Sequence, residues 1–484
     1  MTAAVTTNEA PKRASSSSTD MAALLDRMKK AQRGKKAPSY DERMHHLERL
    51  EKAILRRKNA IADAISKDFG NRSRVESLVA ECFVTVQAIR YAREHLREWM
   101  EPEERQVGWA FMPASAEVVY QPLGVVGIIS PWNYPVQLAL APLVSALAAG
   151  NRAMIKPAEF TPATGELLKD LIAETFDPDH VAVITGGPEV GEAFSKLPFD
   201  HLVFTGSTRV GKIVMRNAAE NLVPVTLELG GKSPTIVGDD FSIDTAATRI
   251  AMGKLYNAGQ TCIAPDYVLL PETKREQFVT AFKDAVTKMF PTLAGNPDYT
   301  SVVNDKHYAR LKSYVDDAKN KGAKVVEINP HAETIDPSSR KFVPTLVLDP
   351  TEEMLCMQDE IFGPVLPVKT YKELGEAIAY VNDHDRPLAL YYFGHDRAKV
   401  DRVLNETISG GVSINETMLH VAQDDLPFGG VGPSGMGHYH AFEGFEAFSK
   451  KKPIFRQSRI NSAGLLRPPF GKAVDLFLRA VLGK

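Results

Sequence analysis

From Met21 to about Met100 apolar residues return at helical spacing. Leu47, Leu50, Ile54, Ile61 and Ile65 recur every three, four or seven positions with Lys and Arg between them, which predicts amphipathic helices with one buried face. The pattern then changes. Residues 107–111 and 116–120 alternate around Met112-Pro113-Ala114 and read as two short strands, a hairpin that needs another sheet to pair with. Residues 124–130 form an apolar run halted by Pro131, the signature of a buried parallel strand opening into a loop. A helix over 136–149, a strand over 153–157, a helix over Pro162–Thr175 and strands over 181–184 and 201–204 follow. That is the βαβ rhythm of a parallel sheet covered by helices on both faces. After Leu229 the alternation restarts, with strands over 233–237, 267–270, Thr345–Leu348 and 365–368 and helices over 243–256 and 277–289.

These runs predict an α/β protein, a doubly wound domain (21–100 and 123–228) followed by a second α/β domain (229–411). The hairpin 101–122 and the tail 412–484 are set aside as an arm. The tail carries the glycine-rich Pro427-Phe428-Gly429-Gly430-Val431-Gly432, a helix near Phe442 and a short apolar helix over Lys472–Leu482. That last helix is about half the length of a membrane span; packing on a partner subunit and lying on a membrane surface both fit it. Residues 1–20, rich in Ala, Ser and Thr, read as a disordered tail.

Composition narrows the function classes. A chain of 484 residues exceeds one core, so two or three domains are expected. A net charge of -2 argues against nucleic-acid binding. Cys82, Cys262 and Cys356 offer neither a disulfide framework nor a zinc-ligand spacing, which fits a reducing cytosol without a metal centre. No signal peptide is expected, and no window reaches the roughly 20 apolar residues of a membrane span.

The candidate chemistry lies in short polar motifs between the elements. Asn257-Ala258-Gly259-Gln260-Thr261-Cys262 presents a thiol after a glycine whose backbone can approach it closely. Leu227-Glu228-Leu229-Gly230-Gly231-Lys232 brackets a carboxylate with apolar residues and glycines. Burial there raises its pKa toward a general base's, although a buried acid bonded to backbone N–H groups reads the same way. Asn133, in Pro131-Trp132-Asn133-Tyr134-Pro135, is either an oxyanion donor or a turn residue. Gly206-Ser207-Thr208-Arg209-Val210-Gly211 follows a strand and opens a helix, where free N–H groups favour a phosphate, but Thr208 replaces the middle glycine of the dinucleotide fingerprint. Lys156 and Glu159 are a ribose-binding pair or a solvated one. Glu360-Ile361-Phe362-Gly363-Pro364 offers an acid and a ring for a second ribose and a nicotinamide. Cys82 and Cys356 read as structural.

Taken in this order, the motifs resemble the aldehyde dehydrogenase superfamily from about Leu47 to Lys450. The stretches 260–267, 386–391 and 426–432 resemble its class 3 branch, and 466–472 is similar to the bacterial coniferyl aldehyde dehydrogenases. The resemblance implies a Rossmann-like cofactor domain, a catalytic domain and a small β oligomerisation arm. It implies Cys262 as nucleophile, Glu228 as general base and Asn133 as oxyanion donor. Lys156, Glu159, Gly206, Ser207, Val210, Gly211, Leu229, Glu360 and Phe362 would serve the cofactor. Met252, Tyr256, Thr261, Thr417, Met418 and His420 would line the substrate pocket, a core reading of Met252 and Tyr256 being the alternative. Ala158 departs from the Ser of many members and leaves NAD and NADP both open; Glu159 would repel a 2′-phosphate and favours NAD. The implied reaction is NAD(P)-dependent oxidation of an aldehyde, aromatic or medium- to long-chain aliphatic, by a cytoplasmic homodimer. A non-catalytic protein keeping the fold is the rival of another class.

Overall fold

The computed structural model describes residues 18–34, 36–461 and 463–483. Its centre is two parallel sheets, each built where the sequence shows continuous apolar runs. The first has six strands in the order Gly435–Met436, Val225–Glu228, His201–Thr205, Val125–Ile129, Arg152–Lys156 and Val181–Val183. All pair in parallel except Gly435–Met436, which runs antiparallel to Val225–Glu228. The second has seven, in the order Lys324–Glu327, Thr345–Leu348, Val365–Tyr371, Tyr267–Pro271, Pro234–Val237, Ala389–Phe393 and Gly411–Ile414. There only Lys324–Glu327 is antiparallel.

The amphipathic N-terminal region forms helices Tyr40–Phe69 and Val84–Trp99. Ser39 opens the first with a capping box that includes Glu42, and Gly70 closes it in the left-handed region. Leu47, Leu50, Ile54, Ile61 and Ile65 all face one core with helix Gln137–Ala148, which is apolar almost throughout because it is buried on every side. Between the two long helices, Leu78–Phe83 widens into a π-helical turn, a distortion common beside functional sites.

Three expectations are corrected. The first helix begins at Ser18, so residues 18–20 do not belong to a disordered tail; the remainder of that tail, residues 1–17, lies outside the described residues. The hairpin is shifted, because Trp109–Phe111 is a single helical turn and the strands are Glu103–Arg105 and Ser115–Pro122. Most of 412–448 is not arm. Gly411–Ile414 completes the larger sheet, Gly435–Met436 edges the smaller, and helix Ala441–Ala447 buries Phe445 against Trp99 at 5.7 Å. Only from Ser449 does the tail join the arm, as strand Ser449–Arg456 antiparallel to Ser115–Pro122.

Candidate active site

The thiol-bearing loop is held in an unusual backbone path. Asn257, Ala258 and Gly259 have φ of 50°, 52° and 74°, three successive residues in the left-handed region. For Asn257 and Ala258 that costs strain which neighbours must overdetermine. Gly259 is required on a second ground, since a Cβ there would stand 2.4 Å from the Gly363 carbonyl oxygen. The restraints converge from distant parts of the chain. The Glu76 carboxylate accepts the Asn257 N–H at 3.0 Å and the Thr300 hydroxyl at 3.2 Å. Buried Gln260 donates to the Asn257 and Ser301 carbonyls at 3.0 and 3.1 Å and accepts from Val303 N at 2.9 Å.

Asn133 is fastened just as firmly. Its carbonyl accepts from Arg72 at 2.8 Å and from Asn257 Nδ2 at 3.1 Å, and its own Nδ2 donates to the Gln260 carbonyl at 3.1 Å. An amide carries two N–H donors, so one remains for a ligand. Buried Arg72 also pairs with Glu81 at 2.9 Å, and the other Glu81 oxygen accepts the N–H groups of Val136 and Gln137 at 3.0 and 2.8 Å. A remote carboxylate thus caps the helix that follows Asn133. These supports were not foreseen. The visible signal was Glu81 within the apolar run Leu78-Val79-Ala80-Glu81-Cys82-Phe83, a charge where only a paired one is stable.

Glu228 ends strand Val225–Glu228 and is buried, yet neither carboxylate oxygen has a hydrogen-bond partner among the described residues. Burial raises its pKa well above the ordinary carboxylate value. Cys262 is pushed up to about 12 by burial and then by the Glu360 and Glu228 carboxyls, so the resting sulfur is a thiol.

Two cavities meet at this sulfur. One, of about 470 Å³, is lined by Asn133, Gly206, Ser207, Glu228, Leu229, Glu360 and Phe362, and also by Trp132, Arg209, His307 and Arg310. The other, of about 410 Å³, is mainly apolar and is lined by Met252, Tyr256, Thr261, Thr417 and Met418 with Val84, Leu138 and Phe428. Cys262 is the residue common to both walls. The larger cavity fits a nicotinamide dinucleotide. It lies at the carboxyl ends of parallel strands, and the helix opening at Ser207 presents N–H groups there. Glu360, pushed up to about 8 by burial, stands where a Cβ on Gly230 would meet its carboxylate at 2.4 Å. Lys232 anchors that loop, pairing with Asp266 and donating to the Cys356 and Asp359 carbonyls at 2.8 and 2.9 Å.

Some expected residues stand elsewhere. Lys156 and Glu159 lie outside the wall of the larger cavity, at the end of the adjacent strand, with the Lys156 ammonium 3.8 Å from Glu159. Val210 and Gly211 are also outside it; Gly211 lets helix Thr208–Ala219 approach Leu229, whose Cδ2 would lie 2.7 Å from an added Cβ. His420 is corrected. It is not in the apolar cavity's wall, because its Nδ1 stands 2.9 Å from Ser413 Oγ and its ring packs 6.0 Å from Phe428, one layer behind.

Two parallel sheets flanking a half-buried loop thiol, an unpaired carboxyl and a cleft at the carboxyl ends of parallel strands define a cysteine-dependent oxidoreductase architecture. The chain belongs to the aldehyde dehydrogenase family, whose model matches residues 2–454. It is 54% identical over 453 residues to a probable coniferyl aldehyde dehydrogenase of Pseudomonas aeruginosa, covering 94% of each chain. It is 49% identical to the coniferyl aldehyde dehydrogenase of a Pseudomonas species, covering 96% of each. Among solved structures, the substrate-bound state of Staphylococcus aureus AldH superposes with a TM-score of 0.89 at 39% identity, over 95% of this chain and 99% of that one. The enzyme is an aldehyde dehydrogenase.

Proposed function

We propose that this enzyme oxidises an aromatic aldehyde of the coniferyl type to its acid, through a thioester on Cys262. Cys262 Sγ, once deprotonated, adds to the carbonyl carbon to form a tetrahedral thiohemiacetal. The free Asn133 N–H and the Cys262 backbone N–H hold the oxyanion, each such donor being worth about 3 kcal/mol. A bound nicotinamide dinucleotide supplies the acceptor for the hydride that leaves this carbon. Glu228 then takes a proton from water, the resulting hydroxide attacks the thioester, and the acid departs with the sulfur restored. Gly206, Ser207, Leu229, Glu360 and Phe362 would hold the dinucleotide in the larger cavity, with Lys156 and Glu159 serving the adenosine ribose beyond it. Glu159 favours NAD, because a 2′-phosphate beside it would be repelled.

The observation that carries this reading is that one thiol borders both cavities while the unpaired Glu228 borders the polar one. The aromatic assignment draws on the apolar wall with Tyr134, Tyr256 and Phe428 and on the substrate named for the curated relatives. Medium-chain alkyl aldehydes would also suit an apolar wall. Measuring kcat/KM with coniferyl aldehyde, benzaldehyde and decanal, each with NAD and NADP, tests the proposal; decanal outrunning both aryl aldehydes would overturn the aromatic assignment. The proposed setting is the cytoplasm, consistent with three free cysteines, and the proposed assembly is a homodimer through the arm.

A further inference from the structure

Behind the apolar cavity lies a smaller one of about 150 Å³, between helix Val84–Trp99, helix Gln137–Ala148 and the loop around Val421. The two share Val84, Gln137, Val421, Ala422, Tyr439 and His440 as a common wall. Elsewhere in the apolar cavity the polar side chains are satisfied by protein. Thr261 Oγ1 and the Tyr134 hydroxyl are 2.7 Å apart, and the Thr417 hydroxyl donates to the Arg249 carbonyl at 3.1 Å. The shared wall differs. The Gln137 backbone N–H donates to Glu81, but its carboxamide takes no hydrogen bond among the described residues. His440 Nε2 is buried and has none either, while its ring stacks 5.2 Å from Phe428. Burial pushes this imidazole down to about 4, so it is neutral at physiological pH.

A buried unpaired nitrogen such as His440 Nε2 is unfavourable in an apolar wall unless a ligand completes it, and the half-buried Gln137 carboxamide on the same wall is free to bond the same ligand. A carboxamide and a neutral imidazole carry no net charge, so they complement a neutral oxygen and leave a carboxylate or ammonium uncompensated. We propose that Gln137 and His440 form a polar subsite that hydrogen-bonds the ring hydroxyl or methoxy oxygen of a phenolic aldehyde, at the end of the substrate remote from its carbonyl. This rests on the apolar cavity being the aldehyde's. The pair then determines specificity among aryl aldehydes and takes no part in the chemical step.

The test is kcat/KM of the full-length enzyme for coniferyl aldehyde and for cinnamaldehyde, which lacks ring oxygens, in wild type, Gln137→Met and His440→Phe. Wild type is expected to favour coniferyl aldehyde by about tenfold, and each substitution to remove about tenfold from coniferyl aldehyde alone. Cinnamaldehyde is expected to stay within about twofold, since no hydrogen bond to it is lost. Equal losses on both substrates, or an unchanged ratio, would overturn the subsite. Should a variant not fold, the wild-type ratio decides, and parity between the two aldehydes overturns the inference. Failure of both aryl aldehydes beside fast turnover of decanal would instead remove the aromatic reading, and the subsite with it.

Discussion

Glu228 is the residue at which function and stability pull apart. Its two oxygens lack partners, and burial raises its pKa. A raised folded-state pKa means that the stabilising, protonated form dominates at low pH and is lost as pH climbs through that value. Glu228→Gln is therefore expected to raise Tm, by more at about pH 8 than at about pH 5, as thermal scans across that range would show. The same variant should release about one equivalent of NADH per thiol and then stall, with the acyl group retained on Cys262 and visible by mass spectrometry. Turnover by the wild type should rise with pH, because a base acts in its ionised form and burial raises both Glu228 and Cys262 above their ordinary values. A flat profile would remove Glu228 as the base. For Asn133→Ala a fall of about 10²-fold in kcat is expected. The positions of Cys262, Glu228 and Asn133 were legible because their motifs are local in sequence. Arg72, Glu76 and Glu81 were not, since they act across 61, 181 and 55 positions, and nothing along the chain records such proximity. His420 was misplaced for a related reason: the loop's neighbourhood is visible in sequence, but which way its ring turns depends on Ser413.

The loop 257–262 shows how one element is shaped by others. Gly259→Ala would force a Cβ into the Gly363 carbonyl and place a non-glycine residue at φ 74°. A cost of about 1–3 kcal/mol in unfolding free energy is expected, with a larger fractional loss in kcat than in substrate binding. Comparing denaturant midpoints with steady-state kinetics separates the two. The core strands were readable because buried parallel strands are nearly continuous in apolar residues, as at Thr345–Leu348. The arm strands were harder. Ser449–Arg456, with Lys450, Lys451 and Lys452 in succession, shows no buried face and owes its form to pairing with Ser115–Pro122.

At the scale of the molecule, the arm and the C-terminal helix carry a group of exposed apolar side chains. Trp109, Phe111, Phe455, Phe470 and Leu476 are exposed, and Trp109 meets Phe477 of helix Lys472–Leu482 at 5.8 Å. Exposed apolar patches of this kind mark association. Sedimentation of the wild type is expected to give twice the chain mass, and Trp109→Asp with Phe455→Asp to shift it toward the single chain without abolishing NADH formation. Helix Lys472–Leu482 is too short to cross a bilayer, and no described helix is long and apolar enough to do so. The meeting of both hollows at one sulfur has a kinetic corollary. With coenzyme and aldehyde assigned to the two cavities as proposed, the spent acid would leave toward the apolar side while the reduced dinucleotide still occupied the polar one. Neither departure has to queue behind the other.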